Sequence, residues 1–477
     1  MFLDICVSTL QEILEANKPL FKDLWIEKSD YHWHKHGVIT LDFSKIEASS
    51  VHDLRIRLCE LLQIVANNYQ LELTLDPQKP ATALETLVQA LHNKFQHVAV
   101  LIDEYDNPIL QVLNDLNQAH EIVNSMRSFF ATIKSLDKYI NFVFITGVSS
   151  FAKAGIFSGM NNLKTITLDK QYATICGYID QEIDHYFAQH IQTWADKENI
   201  SYDDLRSQIK NWYNGYHFGA DVNPVYNPFS FMSALDIQEF KNFWFTTGTP
   251  TFLIKELEKE YRTPELKMFD LKDFETAEDD LGVAEIGETP LAALMFQTGY
   301  LTITEFDQAR KLLILGYPNH EVSTATQKRL LGMYTRMQIA ETSRFAANIL
   351  YALKQKDIPE IIELIKSIFV RVTYHEHLKD EAFYHGLLQV LFGAAGINAS
   401  SQIATSHGRI DMVLELPALI YIIEIKLNAT AEKALKQIEE QQYYEALRYK
   451  NKPIVLLGLN FNRKPKKFDI TYASKEI

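Results

Sequence analysis

Three short runs in the first third of the chain, Gly37 to Phe43, His97 to Ile102 and Asn141 to Thr146, are dominated by consecutive apolar residues without a polar residue at every second position. A strand with one face in water alternates, whereas a strand apolar on both sides has to be covered on both sides. The stretches between the runs are long enough for helical crossovers and carry helical patterning. The first 170 residues are therefore expected to form an α/β unit, a parallel sheet flanked by helices. From 171 to 330 the texture changes to aromatic and turn-rich segments such as Trp212 to His217 and Val225 to Ser230, which predicts a smaller, mostly helical and winged-helix-like unit. Residues 331–370 read as connecting helices, and residues 371–477 as a last α/β/α unit.

That last unit opens with an amphipathic helix over His377–Ala395, with Phe383, Leu387 and Leu391 on one face. Gly408-Arg-Ile-Asp-Met-Val-Leu-Glu415 follows, then a turn at Leu416-Pro-Ala418, then Ile420-Tyr-Ile-Ile-Glu-Ile-Lys-Leu427. This is the pattern of a hairpin. Strand alternation puts Glu424 and Lys426 on one face with Ile422, and Tyr421, Ile423, Ile425 and Leu427 on the other. Asp411 is expected to meet Glu424 across the hairpin, so that the two carboxylates and the Ile425 carbonyl can hold an octahedral hard cation, Mg2+ or Mn2+. Such an ion offsets charge on a phosphodiester, while Lys426 orients the attacking water or helps deprotonate it. Glu381 lies on the polar side of the first helix with Tyr384, His385 and Leu388, placed to complete the metal shell or orient a water. A further helix is expected over Thr430–Leu447, with Gln437, Gln441 and Tyr444 aligned to touch a DNA backbone or Lys426. The bland alternative for Glu-x-Lys on a strand is a solvated face.

The chain carries a net charge of −14, which argues against a protein that coats nucleic acid along its whole length. The charge is uneven. Residues 371–477 hold 14 basic and 12 acidic side chains, and the remainder 33 and 49. That fits phosphate contact by the last unit only. Cys6, Cys59 and Cys176 lack the spacing of a disulfide framework or a zinc site, and no export signal or apolar span is evident. A cytoplasmic protein is expected, without a membrane partner. His32-Trp-His-Lys-His36 places alternate histidines on one strand face, but no acid or thiol stands at a familiar metal spacing, so the segment reads as a polar lead into the first strand.

Ala99-Val-Leu-Ile-Asp-Glu-Tyr-Asp106 ends an apolar strand in paired acids and looks like a Walker B motif. Together with Phe144 to Phe151, Ile156 to Leu163, Tyr213 to Phe218, Val225 to Ser230, Phe243 to Thr249, Gln297 to Thr302 and Gly316 to Val322, it resembles the AAA-ATPase-like family of bacteria. The order Glu381, Gly408-Arg-Ile-Asp411, Glu424-Ile-Lys426, then Ala434 to Ile438 resembles the PD-(D/E)XK nuclease superfamily, with Ile410 where proline is usual. The resemblance implies a P-loop-like sheet and a restriction-endonuclease-like domain. It also implies Asp103 as a Mg2+ partner, Glu104 as the residue that polarises water, and Thr146 or Ser149 as a γ-phosphate sensor. The chain contains no G-x-x-x-x-G-K-[ST] loop. Met1 to Asp4 look like the residues that follow such a loop, so the first strand and the phosphate cradle are expected to be missing. ATP binding is then not expected, because backbone N–H groups and a lysine of that loop hold the phosphates. An unpaired sheet edge, which a partner or a second copy would cover, is expected as well. The activity expected overall is Mg2+-dependent hydrolysis of nucleic acid, DNA before RNA; the alternative is a non-catalytic scaffold that binds a partner or nucleic acid.

Overall fold

A computed structural model describes residues 2–148, 153–157, 159–244, 274–282, 290–372, 381–405, 408–464 and 467–477. The three apolar runs form β1 (Gly37–Asp42), β2 (Val98–Asp103) and β3 (Ile140–Ile145), parallel and in the order β1-β2-β3. Helix α1 (Phe2–Leu14) covers one face, where Val7 and Leu14 pack on Val38, Ala99 and Leu101. Helices α2 (Val51–Asn68), α3 (Pro80–Phe95) and α4 (Leu116–Ser135) cover the other. Their starts are set by sequence: Ser50 accepts from the Asp53 N–H, and Asp115 accepts from Asn117 and Gln118. β2 is buried throughout, whereas Asn141 and Phe142 on β3 are exposed. Among the described residues the outer edge of β3 pairs with no strand.

In the middle, α5 (Ala188–Glu198), α6 (Tyr202–Tyr213) and α7 (Pro228–Ile237) enclose a core of Trp194, Tyr213, Tyr226 and Phe231. A small antiparallel sheet follows, in the order β4 (Phe274–Ala277), β6 (Leu312–Gly316), β5 (Thr302–Asp307), whose strands the sequence reading did not place individually. Five of the quoted sequence blocks meet here. The Asn227 N–H donates to the Tyr213 carbonyl at 2.9 Å, His217 N–H to Thr302 Oγ1 at 2.7 Å, and Trp244 N–H to Glu321 Oε1 at 2.8 Å. Gly215, at φ +113°, is required because a Cβ would lie 1.9 Å from the Pro318 carbonyl oxygen.

Asn319 caps α8 (His320–Thr335), which leads to α9 (Ile339–Gln355), α10 (Ile358–Arg371) and α11 (Glu381–Ala394). The expected start of the last helix at His377 lies outside the described residues. The C-terminal sheet has the order β11-β10-β9-β8-β7, with β7 (Asn398–Thr405), β8 (Gly408–Glu415), β9 (Ile420–Leu427), β10 (Ile454–Lys464) and β11 (Lys467–Glu476). Only β9 and β10 run parallel; the other neighbours are antiparallel. Helix α11 packs in the core that holds Ile423 and Ile425, and α12 (Ala431–Glu440) covers the other face, where Ile438 meets Ile420 and Ile422. The single helix expected over Thr430–Leu447 is corrected: Gln442 turns left-handed at φ 48°, and Tyr443–Lys450 continues as a separate 3-10 helix. Tyr444 therefore does not extend the face of Gln437 and Gln441.

Candidate functional site

The pairing of β8 with β9 runs from Glu415↔Ile420 to Met412↔Ile423 and stops one pair short of Asp411 and Glu424. Side chains take over where the ladder ends. The Ile425 N–H donates to Asp411 Oδ2 at 2.8 Å. Asp411 is thus held by the opposite strand's backbone, which fixes it beside Glu424 without a long flexible arm.

Glu424 is 1% exposed, and its Oε1 accepts from Lys426 Nζ at 2.9 Å. The alternation read from the sequence therefore holds for this pair. Burial, and then the charge of Asp411, push the Glu424 carboxyl up to about 7, while Lys426 pulls it back. Burial works to depress the Lys426 ammonium, but the hydrogen bond to Glu424 and the fields of Glu424, Asp411 and Glu381 raise it on balance. Glu424 Oε2 is buried and has no hydrogen-bond partner among the described residues.

Asp411 also faces α11. One ligand atom each from Glu381, His385 and Asp411 lie within 4.8 Å of one another, with His385 Nε2 3.8 Å from Asp411 Oδ2. Asp411 consequently stands between two groups, the Glu381–His385 pair on the helix and the Glu424–Lys426 pair on the strand. His385, which the sequence reading named beside Glu381 but not as a metal ligand, joins Asp411 in this cluster; its spacing of four from Glu381, one helical turn, was the available signal. Gln437 is half-buried on α12 and joins neither pair among the described residues.

Two β10 residues shape the site, and the sequence reading did not single them out. Gly458 lies opposite Glu424, and a Cβ there would sit 2.4 Å from the Ala431 carbonyl oxygen and 2.6 Å from the Leu435 nitrogen. The glycine lets the first turns of α12 close over this face. Asn460 lies opposite Lys426, 1% exposed, and its Oδ1 accepts the Ala429 N–H at 2.8 Å. It holds the turn that follows the Glu-x-Lys strand.

In the N-terminal sheet Asp103 is buried at the end of β2. The Thr146 hydroxyl donates to its Oδ1, as does the Glu104 N–H at 3.1 Å. Glu104 adopts φ +50°, the left-handed turn that follows the strand. Asp103, Glu104 and Thr146 are thus brought together, while Ser149 lies outside the described residues.

A parallel sheet ending in paired acids, joined to a mixed sheet carrying Asp411, Glu424 and Lys426, defines an ATPase-like module coupled to a nuclease-type domain. Residues 4–157 match the AAA-ATPase-like family, described as "Predicted AAA-ATPase", and residues 379–469 match the PD-(D/E)XK nuclease superfamily. Over 475 residues the chain is 32% identical to a protein of Azotobacter chroococcum mcd 1 described as "Uncharacterized protein in vnfD 5'region", across 97% of this chain and 87% of that one. No solved structure matches. The chain belongs to the AAA-ATPase-like family with a C-terminal PD-(D/E)XK nuclease superfamily domain. That superfamily typically uses divalent metal ions, and the cluster of Glu381, His385 and Asp411 offers donors for one. Among the described residues no helix is long and apolar enough to cross a membrane.

Proposed function

We propose that the C-terminal domain is a divalent-cation-dependent nuclease that hydrolyses phosphodiester bonds, in DNA before RNA. The observation that carries this reading is the position of Asp411, which touches the Glu381–His385 pair and is locked by the Ile425 N–H beside Glu424 and Lys426. Asp411, Glu381 and His385 would hold the cation. Glu424, whose Oε2 has no partner among the described residues, and the Ile425 carbonyl, on the same strand edge as the N–H bound to Asp411, would complete the shell. When bound, Mg2+ or Mn2+ supplies a water of lowered pKa and offsets phosphate charge. Lys426, kept protonated by its acidic neighbours, orients the nucleophile and faces the scissile phosphate. An imidazole in an otherwise oxygen donor set favours Mn2+ over the harder Mg2+.

The N-terminal module is read as a scaffold that does not bind ATP. It keeps Asp103, Glu104 and Thr146, but the sequence carries no phosphate-cradling loop. Incubation of the purified chain with supercoiled plasmid and Mg2+ or Mn2+ tests the nuclease. Nicking is expected, abolished by Asp411→Ala and by Lys426→Met. Cleavage that persists in Asp411→Ala, or nucleic-acid binding with no cleavage in either ion, favours the non-catalytic scaffold instead.

A further inference from the structure

The segment before β1 and the loop before β2 bring together histidines that the nuclease site does not use. His34 and His97 have ring centroids 5.5 Å apart, His36 and His97 5.3 Å, and His32 and His34 6.0 Å. The sequence showed alternate histidines at 32, 34 and 36 without a partner; the parallel pairing Gly37↔Val98 supplies one by setting His97 beside His36. Two imidazoles bound to one tetrahedral ion through bonds of about 2.0–2.1 Å have centroids roughly 5 Å apart, so these separations are those of rings able to share an ion.

His36 is already oriented for it. Its Nδ1 lies 2.8 Å from the His34 carbonyl oxygen and 3.2 Å from the Leu14 carbonyl oxygen. A carbonyl only accepts, so Nδ1 carries the proton and the lone pair of the neutral ring is on Nε2. Such an outer hydrogen bond fixes the tautomer and ring of a metal-ligating histidine. His32 and His34 are exposed, and His36 and His97 partly so, leaving the rings free to turn. Turning is needed, because among the described residues these nitrogens do not yet converge within one coordination sphere. The neighbouring cation Lys35 extends over the Phe95 ring, its Nζ 6.0 Å from the centroid.

We propose that His34, His36 and His97 form a second metal site, with His32 or water as fourth ligand, selective for a first-row ion that prefers imidazole, Zn2+ in particular. It clips the chain entering β1 to the loop entering β2, at the end of the sheet opposite Asp103. The all-imidazole donor set separates it from the carboxylate-rich nuclease site.

The test uses the full-length chain carrying Asp411→Ala, freed of metal by a chelator and titrated with Zn2+ against a chromophoric competitor. One site of micromolar or tighter affinity is expected, weakened at least tenfold by His34→Gln and by His97→Gln, with Mg2+ unable to compete. Co2+ in place of Zn2+ should give the intense visible absorption of tetrahedral coordination. An affinity unchanged in the His34→Gln, His97→Gln double variant, or a purely octahedral Co2+ spectrum, would overturn the proposal. His34 is exposed, so His34→Gln reports on binding even if His97→Gln disturbs the fold.

Discussion

Glu321 is fully buried in the second position of α8, with one oxygen on the Trp244 N–H at 2.8 Å and the other without a partner among the described residues. Among the described residues no cation pairs with it, and burial pushes its carboxyl up from the usual 4.5 to about 7. At 1.36 kcal/mol per unit the shift corresponds to about 3 kcal/mol. The folded value lies above the unfolded one, so the folded chain binds the extra proton. The stabilisation is full below pH 4.5 and is lost as pH rises through about 7. Glu321→Gln keeps the shape and the acceptor of the protonated acid and removes the titration. Urea unfolding in the presence of a chelator, at several pH values from 5 to 8.5, should show wild type and variant within roughly 1 kcal/mol near pH 5. Near pH 8 the variant should be the more stable by roughly 2–3 kcal/mol. Glu424 also sits near 7 and Asp180 near 2, but both are common to the two proteins and cancel in the difference. Parallel stability curves, or a variant equally destabilised at every pH, would refute the reasoning.

Gly458→Ala should drive its Cβ into the backbone of α12 and lower the stability of the C-terminal domain by roughly 1–3 kcal/mol, read as an earlier unfolding transition, with cleavage reduced in proportion. Mn2+ should raise the melting temperature more than equal Mg2+, and His385→Ala should erase the difference between the ions while leaving a Mg2+ response; equal responses in wild type would remove the imidazole from the donor set. A fluorescent ATP analogue with Mg2+ should show no saturable binding, and a micromolar dissociation constant lost in Asp103→Ala would contradict the scaffold reading.

What the sequence disclosed was whatever depends on local period. The three continuous apolar runs became β1, β2 and β3 to within a residue or two, and the hairpin strands fell at Gly408–Glu415 and Ile420–Leu427. The shared face of Glu424 and Lys426 followed from alternation alone. The rest depends on contacts between distant segments. His385 reaches Asp411 only once α11 is laid against the sheet, and Gly458 and Asn460 acquire meaning only when β10 pairs with β9. The break at Gln442 was hidden because Tyr443 and Leu447 continue the apolar spacing of the helix, while the backbone turns left-handed between them and α12. The sheet of β4, β6 and β5 was obscured by its shortness and by the aromatic residues around it.

The matched nuclease segment, residues 379–469, does not close its own core. Tyr421, on the face of β9 opposite Glu424, donates its hydroxyl to the Leu353 carbonyl at 2.7 Å, so α9 lies over that strand. Phe369 of α10 stacks on Tyr384 at 5.5 Å and packs against Phe461 at 5.0 Å and Phe468 at 5.7 Å. Helix α8 runs against α11, with the Gln327 side chain filling the space left by Gly393. The helix that presents Glu381 and His385 is therefore held on one side by the sheet and on the other by helices from between the two matched segments. The same α8 begins at Asn319 and Glu321, where the five sequence blocks of the middle region converge. A buried glutamate with no cation partner among the described residues and a candidate metal cluster are thus tied to two helices packed against each other. Interiors this closely packed shift between discrete arrangements instead of deforming smoothly, so any repacking around Glu321 that tilts α8 has to be accommodated by α11. The geometry of Glu381 and His385 relative to Asp411 is in that sense a property of the middle region as much as of the nuclease fold.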